Sequence, residues 1–408
     1  MPGPAFARLS SIALVANIPD TDADPPHAPV RERRTMSNMP RPAWGLALVL
    51  ALTSSVWLTT SPSSSADQAQ GPMSSQSLTL SASTIPVPPP LHSPVPSSST
   101  SPIAVAPPTG KADDGSYVRS ETWLDPRMAD LDVYSVAVGS VVRVRIIVPN
   151  GWWADAGGTG WPVLFLLHGG KDDYTAWTRE TDIESFVSTR NLIVVMPDNS
   201  PIALATRWWN NGKNKPDYET FDAVELMQLM ERGYGAKPKR AVAGVSAGGY
   251  GAMILAAHYP RTFAAAASYS GIVDTTTPGA SLLMRVGDLW QGYPPNQVWG
   301  DPNSSIGRQL QNENNPYSQA LNLRGTRLFL SCGDGTGETA RDLPGKLGLW
   351  AEGMVLRPQT VAFINRLEMH GIPAQADLYK GGIHNWISWK VAFAASWPVL
   401  AAGLGLPS

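Results

Sequence analysis

The chain is poor in cysteine, poor in histidine and weakly charged. Cys332 is the only cysteine among 408 residues, which excludes an intrachain disulfide and a cysteine-based zinc site. With six histidines, each one near a motif carries weight. Charged residues make up 16% and the formal net charge is −2, so neither nucleic acid nor an anionic surface is expected as the main partner. No internal repeat is visible, and no ligand spacing suggests a metal. No metal and no cofactor are expected. Tryptophan, by contrast, is abundant, with 15 residues.

Composition divides the chain into three regimes. Residues 1–66 form an N-terminal extension. Arg31, Arg33, Arg34 and Arg41 precede the apolar run 43–52, and Ser64-Ser65-Ala66 supplies small residues at a cleavage position. This is a secretory signal pattern, so a secreted or cell-envelope location is expected. The run is interrupted by Thr53-Ser54-Ser55, and no stable membrane insertion is expected. Signal peptides begin a chain, which makes Met36 or Met39 the expected start. Residues 67–115 are rich in Ser, Pro and Thr. They cannot bury enough apolar surface to offset their ordering entropy and read as a flexible tether. Residues 116–404 read as one globular domain.

Within that domain, Val133–Val138 and Val141–Val148 meet at Gly139-Ser140, a hairpin signal. Val163–Leu167, Leu192–Met196, Ala264–Ser268 and Arg327–Cys332 are short apolar runs, as in strands buried on both faces. Helical segments such as Phe221–Met230 and Pro358–His370 lie between them. The alternation indicates an α/β fold with a mostly parallel sheet and helices on both faces.

Gly244-Val245-Ser246-Ala247-Gly248, between an apolar strand end and a small-residue helix, reads as a nucleophile elbow. A serine alone is a poor nucleophile. It needs a base to accept its proton and a carboxylate to orient that base. His384, in Gly382-Ile383-His384-Asn385-Trp386 after the strand expected over Ala376–Tyr379, stands where the base is needed. His370 instead ends a predicted helix. The carboxylate is expected in the loop after Arg327–Cys332, where Asp334 and Glu338 are both candidates and spacing does not choose between them.

Several motifs in order carry a resemblance. Leu166-Leu167-His168-Gly169-Gly170, Asp172-Asp173-Tyr174, Val195-Met196-Pro197, the elbow, Val298-Trp299-Gly300-Asp301, Cys332-Gly333-Asp334-Gly335-Thr336 and His384-Asn385-Trp386 resemble an esterase family. That family contains the antigen 85 mycolyltransferases and S-formylglutathione hydrolase (esterase D), and the set is most similar to the antigen 85 branch. The resemblance implies an α/β-hydrolase fold, Ser246 as nucleophile and His384 as base. It favours Glu338 over Asp334 as the acid, although the loop is one residue shorter here. It implies an oxyanion hole formed by the backbone N–H groups of Gly170 and Ala247. The branch holds trehalose with an Asp before the first Gly of the 168–171 loop and an Arg two residues after that Gly. Here those places are His168 and Lys171, so the resemblance does not carry trehalose over. His168, Lys171, Trp208 and Trp386 are expected around the substrate, with the tryptophans shielding an acyl chain from water.

The expected function is a secreted serine esterase or acyltransferase. It would act on a small-molecule or lipid ester, with water, a sugar or glycerol as acceptor. The other reading is a non-catalytic secreted binding protein on a hydrolase scaffold, which would have no need of a nucleophile, an acid and a base together.

Overall fold

In the computed structural model, the described residues are 103–105, 110–154, 160–199, 202–290, 292–337 and 348–408. The signal-like segment and Glu338 lie outside them. The sheet is built from β1 (Ile103–Val105), β2 (Tyr117–Trp123), β3 (Met128–Ser135), β4 (Ser140–Ile147), β5 (Trp161–Leu167), β6 (Ile193–Pro197), β7 (Ala236–Val245), β8 (Ala265–Tyr269), β9 (Arg327–Cys332) and β10 (Ala374–Leu378). Their order is β1-β2-β3-β4-β6-β5-β7-β8-β9-β10. The β1 to β4 strands and the β4–β6 pair are antiparallel. From β6 to β10 every pairing is parallel.

The expected hairpin is present, closed by Ser135 opposite Ser140. Described structure includes residues before the expected boundary at Ser116. Ile103–Val105 pairs with Glu121–Trp123, and Ala112 is buried. Edge pairing satisfies the backbone of a stretch whose composition alone reads as tether.

The apolar runs are explained by what covers each face. Along β5, Val163, Phe165 and Leu167 join one core with Val242, Ala252, Met253 and Ala256. Leu164 and Leu166 face the other way, into a core with Ala241, Ala243, Ala265 and Ala267. The second core is closed by Trp389, Phe393, Trp397 and Leu400 of the helix Trp386–Leu404. That helix is long and apolar enough to cross a membrane, but half of its most apolar window is buried. Its apolar character is that of a core helix.

The strand order places the site. The chain leaves β5 for β6 on one side, then returns to β7 on the other side of β5. This is a topological switch point, where a crevice opens beyond the carboxyl ends of the strands. The segments after β5, β7, β9 and β10 all emerge at that edge. They carry Gly169-Gly170, Ser246, Glu352 and His384.

Candidate active site

Ser246 stands between β7 and the helix α1 (Ala247–His258), at φ 55° and ψ −116°. A non-glycine residue at positive φ is strained by about 1–3 kcal/mol and must be held by its surroundings. Ser246 N–H donates to Tyr269 O at 2.9 Å, and Tyr250 N–H donates to Ser246 O at 3.1 Å. The flanking glycines permit the close turn. A Cβ on Gly244 would lie 2.2 Å from Gly248 O, and one on Gly248 would lie 2.5 Å from the carbonyl oxygens of Leu167 and His168. Any side chain there would drive α1 off the end of β5.

An imidazole and a carboxylate complete the arrangement. Ser246 Oγ is 3.0 Å from His384 Nε2, and His384 Nδ1 is 2.9 Å from Glu352 Oε2. A carboxylate accepts only, so Nδ1 carries the imidazole proton and Nε2 is left to accept from the serine. The other Glu352 oxygen, Oε1, accepts from Ser270 Oγ at 2.6 Å, Gly333 N–H at 2.7 Å and Cys332 Sγ at 3.4 Å. Glu352 is 0% exposed. Burial alone would push its carboxyl up, but the hydrogen bond and charge of His384, with the Ser270 and Gly333 bonds, hold it below the usual carboxylate range.

The carboxylate that the imidazole meets is Glu352, not Asp334. Asp334 accepts from Thr336 N–H and Oγ1 and from Gly381 N–H at 2.9 Å, tying its loop to the loop that leads to His384. It does not reach the imidazole. Glu338 lies outside the described residues, and the place expected for it on His384 Nδ1 is held by Glu352. Glu352 comes from a π-helical turn, Ala351–Leu356, that leads into the helix α2 (Arg357–Met369). Arg357 braces that junction by donating from Nη1 to Cys332 O and Tyr379 O, both at 3.0 Å, at the ends of β9 and β10. A sequence signal existed: Glu352 is the lone carboxylate in the apolar stretch 347–356. A charge in such a stretch must find a partner once buried.

Trp208 does not lie as expected. It is 2% exposed and joins a core with Ala247, Tyr250 and Trp299 instead of shielding an open pocket. Trp386 is half-buried and donates from Nε1 to Asp172 Oδ2 at 3.2 Å, joining the loop after Gly170 to the loop of the base. Trp389 packs edge-on against the His384 ring, with centroids 4.8 Å apart, and donates to Ser270 Oγ at 3.2 Å. It therefore supports both His384 and a donor to Glu352.

His168 is also placed differently. It is 2% exposed, with its ring turned to Gly169 O and Asn199 N–H, and so supports the loop instead of lining an open pocket. Lys171 is exposed and in the left-handed region at φ 65°. A Cβ on Gly169 would come within 3.4 Å of Ser246 Cβ, so this loop lies against the nucleophile. Gly170 beside it is exposed and faces open space. Ala247 is the first residue of α1, where backbone N–H groups have no partner within the helix.

A family model described as "Putative esterase" matches residues 135–400, which span β4 to β10 and all of these groups. The chain belongs to this esterase family. Among family members, Ag85B of Mycobacterium intracellulare, a diacylglycerol acyltransferase/mycolyltransferase, is 30% identical over 296 residues, covering 68% of this chain and 84% of that protein. Ag85A of Mycobacterium ulcerans, of the same description, is 29% identical, covering 67% and 81%. Among solved structures, MPT51 of Mycobacterium tuberculosis superposes with a TM-score of 0.57 at 24% identity, covering 69% of this chain and all of that one. The esterase fold expected from the motifs is therefore established, and esterase-family membership supports hydrolase or acyltransferase chemistry.

Proposed function

We propose that this protein is an exported serine esterase that forms an acyl-enzyme on Ser246 and passes the acyl group to water or to an alcohol. The observation that carries this reading is the continuous hydrogen-bonded series Ser246 Oγ, His384 Nε2, His384 Nδ1, Glu352 Oε2, with the serine at a strained elbow. His384 accepts the serine proton as Oγ attacks the ester carbonyl. Glu352 stabilises the imidazolium that results. The N–H groups of Gly170 and Ala247 receive the developing oxyanion. The imidazolium then returns its proton to the leaving alkoxide. In the second half, His384 deprotonates the acceptor that attacks the acyl-Ser246 carbonyl. Export rests on the signal pattern of residues 43–66.

Transfer to an alcohol is supported by the relatives described as acyltransferases. Hydrolysis is supported by this chain's own loop. The position where the antigen 85 resemblance implies a sugar-holding Asp is here the buried His168, occupied by backbone partners. Of the two, hydrolysis is the reading the geometry favours. The test supplies a p-nitrophenyl ester with rising glycerol or trehalose. Mass spectrometry of quenched enzyme should show an acyl adduct on Ser246, with free acid as the main product. Absence of any adduct and of a burst would overturn the covalent mechanism. Acylated acceptor dominating at low acceptor concentration would instead establish a transferase.

A further inference from the structure

Beneath the 168–170 loop lies a buried polar series that the mechanism does not use. Asn199 is 1% exposed and Asp222 is 0% exposed. Asn199 Nδ2 donates to Asp222 Oδ2 at 2.8 Å. The remaining oxygen of each side chain, Asn199 Oδ1 and Asp222 Oδ1, is buried and has no hydrogen-bond partner among the described residues. Two orphaned acceptors on an already bonded pair are expensive if Asp222 is an anion. A single proton on Asp222 Oδ1 resolves both, because the acid O–H then donates to the amide oxygen while the amide N–H donates back.

The pair continues to the site. Asn199 N–H donates to His168 Nε2 at 3.1 Å. That nitrogen is therefore an acceptor, and the ring proton is on Nδ1. Asp198 Oδ1 also lies 3.5 Å from it. His168 Nδ1–H donates to Gly169 O at 2.8 Å. In a trans peptide the C=O and the following N–H point in opposite directions. Fixing the Gly169 carbonyl toward the ring therefore fixes the Gly170 N–H away from it.

We propose that Asp222 is a neutral carboxylic acid paired in a ring with the Asn199 carboxamide, and that this pair, acting through His168, is the positioning element for the Gly170 oxyanion donor. The inference rests on the assignment of Gly170 to the oxyanion hole made above. Burial is the main influence on Asp222 and pushes its carboxyl up to about 8. The Asn199 bond opposes this, while Asp217, Glu219 and Glu225 add to it. A neutral group is thus the form expected at physiological pH.

The experiment exploits the near identity of a carboxylic acid and an amide. Asp222→Asn can keep the ring, since its N–H₂ donates where the acid O–H does. It should retain kcat within about threefold. Asp222→Ala should lower kcat by about 10²-fold with KM little changed, as expected for a misplaced oxyanion donor. The infrared carbonyl band of the acyl-enzyme on Ser246 should move to higher frequency in Asp222→Ala and stay in place in Asp222→Asn. Should Asp222→Ala fail to fold, Asn199→Asp serves instead. It should lower kcat, and the exchange Asn199→Asp with Asp222→Asn should restore it by rebuilding the ring in reverse. Equal loss in Asp222→Asn and Asp222→Ala would mean that a carboxylate is required and would overturn the proposal. So would an unmoved carbonyl band in Asp222→Ala, or no rescue by the exchange. Ser246→Ala is the separate control: an active Ser246→Ala protein would remove the catalytic assignment itself, whatever the Asp222 variants do.

Discussion

Glu352→Gln changes one atom and should nearly abolish turnover. The substituted amide has two ways to sit. If its oxygen faces His384, its N–H₂ faces the Oε1 side, where Ser270 Oγ and Gly333 N–H now donate. The hydroxyl can turn, but the backbone N–H cannot, and burying it unpaired costs about 1–3 kcal/mol. If instead the oxygen stays with Ser270 and Gly333, the N–H₂ faces His384 Nδ1. The imidazole must then carry its proton on Nε2, where it can no longer accept from Ser246, 3.0 Å away. The second arrangement keeps more hydrogen bonds, so the wrong tautomer prevails. Loss of the carboxylate in such triads costs about 10⁴-fold in kcat, which at ~1.36 kcal/mol per decade is about 5.4 kcal/mol of transition-state stabilisation. Steady-state hydrolysis of a p-nitrophenyl ester reads kcat and KM separately, and KM should move little because Glu352 is buried behind the base. A Glu352→Gln enzyme within tenfold of wild-type kcat would refute the reasoning.

Three further outcomes follow from the same geometry. Glu338→Gln should leave kcat near wild type, and Asp334→Asn should lower kcat less than tenfold, because Asp334 braces the 380–382 loop without touching the imidazole; steady-state kinetics of both variants check this. Gly248→Ala should destabilise by about 2–3 kcal/mol in urea unfolding, since its Cβ would meet two carbonyl oxygens at 2.5 Å. The depressed Glu352 carboxyl contributes stability that is present above the ordinary carboxylate range and is lost as pH falls through its folded value. The stability margin of wild type over Glu352→Gln, followed by urea midpoints, should therefore shrink on acidification below pH ~4.

Local chemistry made much of this molecule legible. The strands β5, β6, β8 and β9 announced themselves because both faces are buried, which forces continuous apolar runs. Ser246 and His384 were legible because an elbow needs glycines on both sides and a base must follow the last strand. Glu352 was not, because closeness to β9 in sequence does not fix closeness to His384. The lone carboxylate of the 347–356 stretch signals a buried charge in need of a partner, but not that the π-helical turn returns it to this site. Trp208 and His168 show the same limit. Residue type pointed to the substrate, while tertiary packing turned one into the core and the other against backbone. Ile103–Val105 takes its order from an edge that only the folded sheet provides.

The proposed mechanism requires Ser246 and His384 to act as one unit. The most direct measurement is kcat for Ser246→Ala, His384→Ala and the double variant under one assay, with circular dichroism to confirm the fold. Each single change should cost about 10³-fold or more, and the double change should cost little beyond the worse single one. Losses that multiply, or a Ser246→Ala protein that keeps turning over ester, would contradict the account.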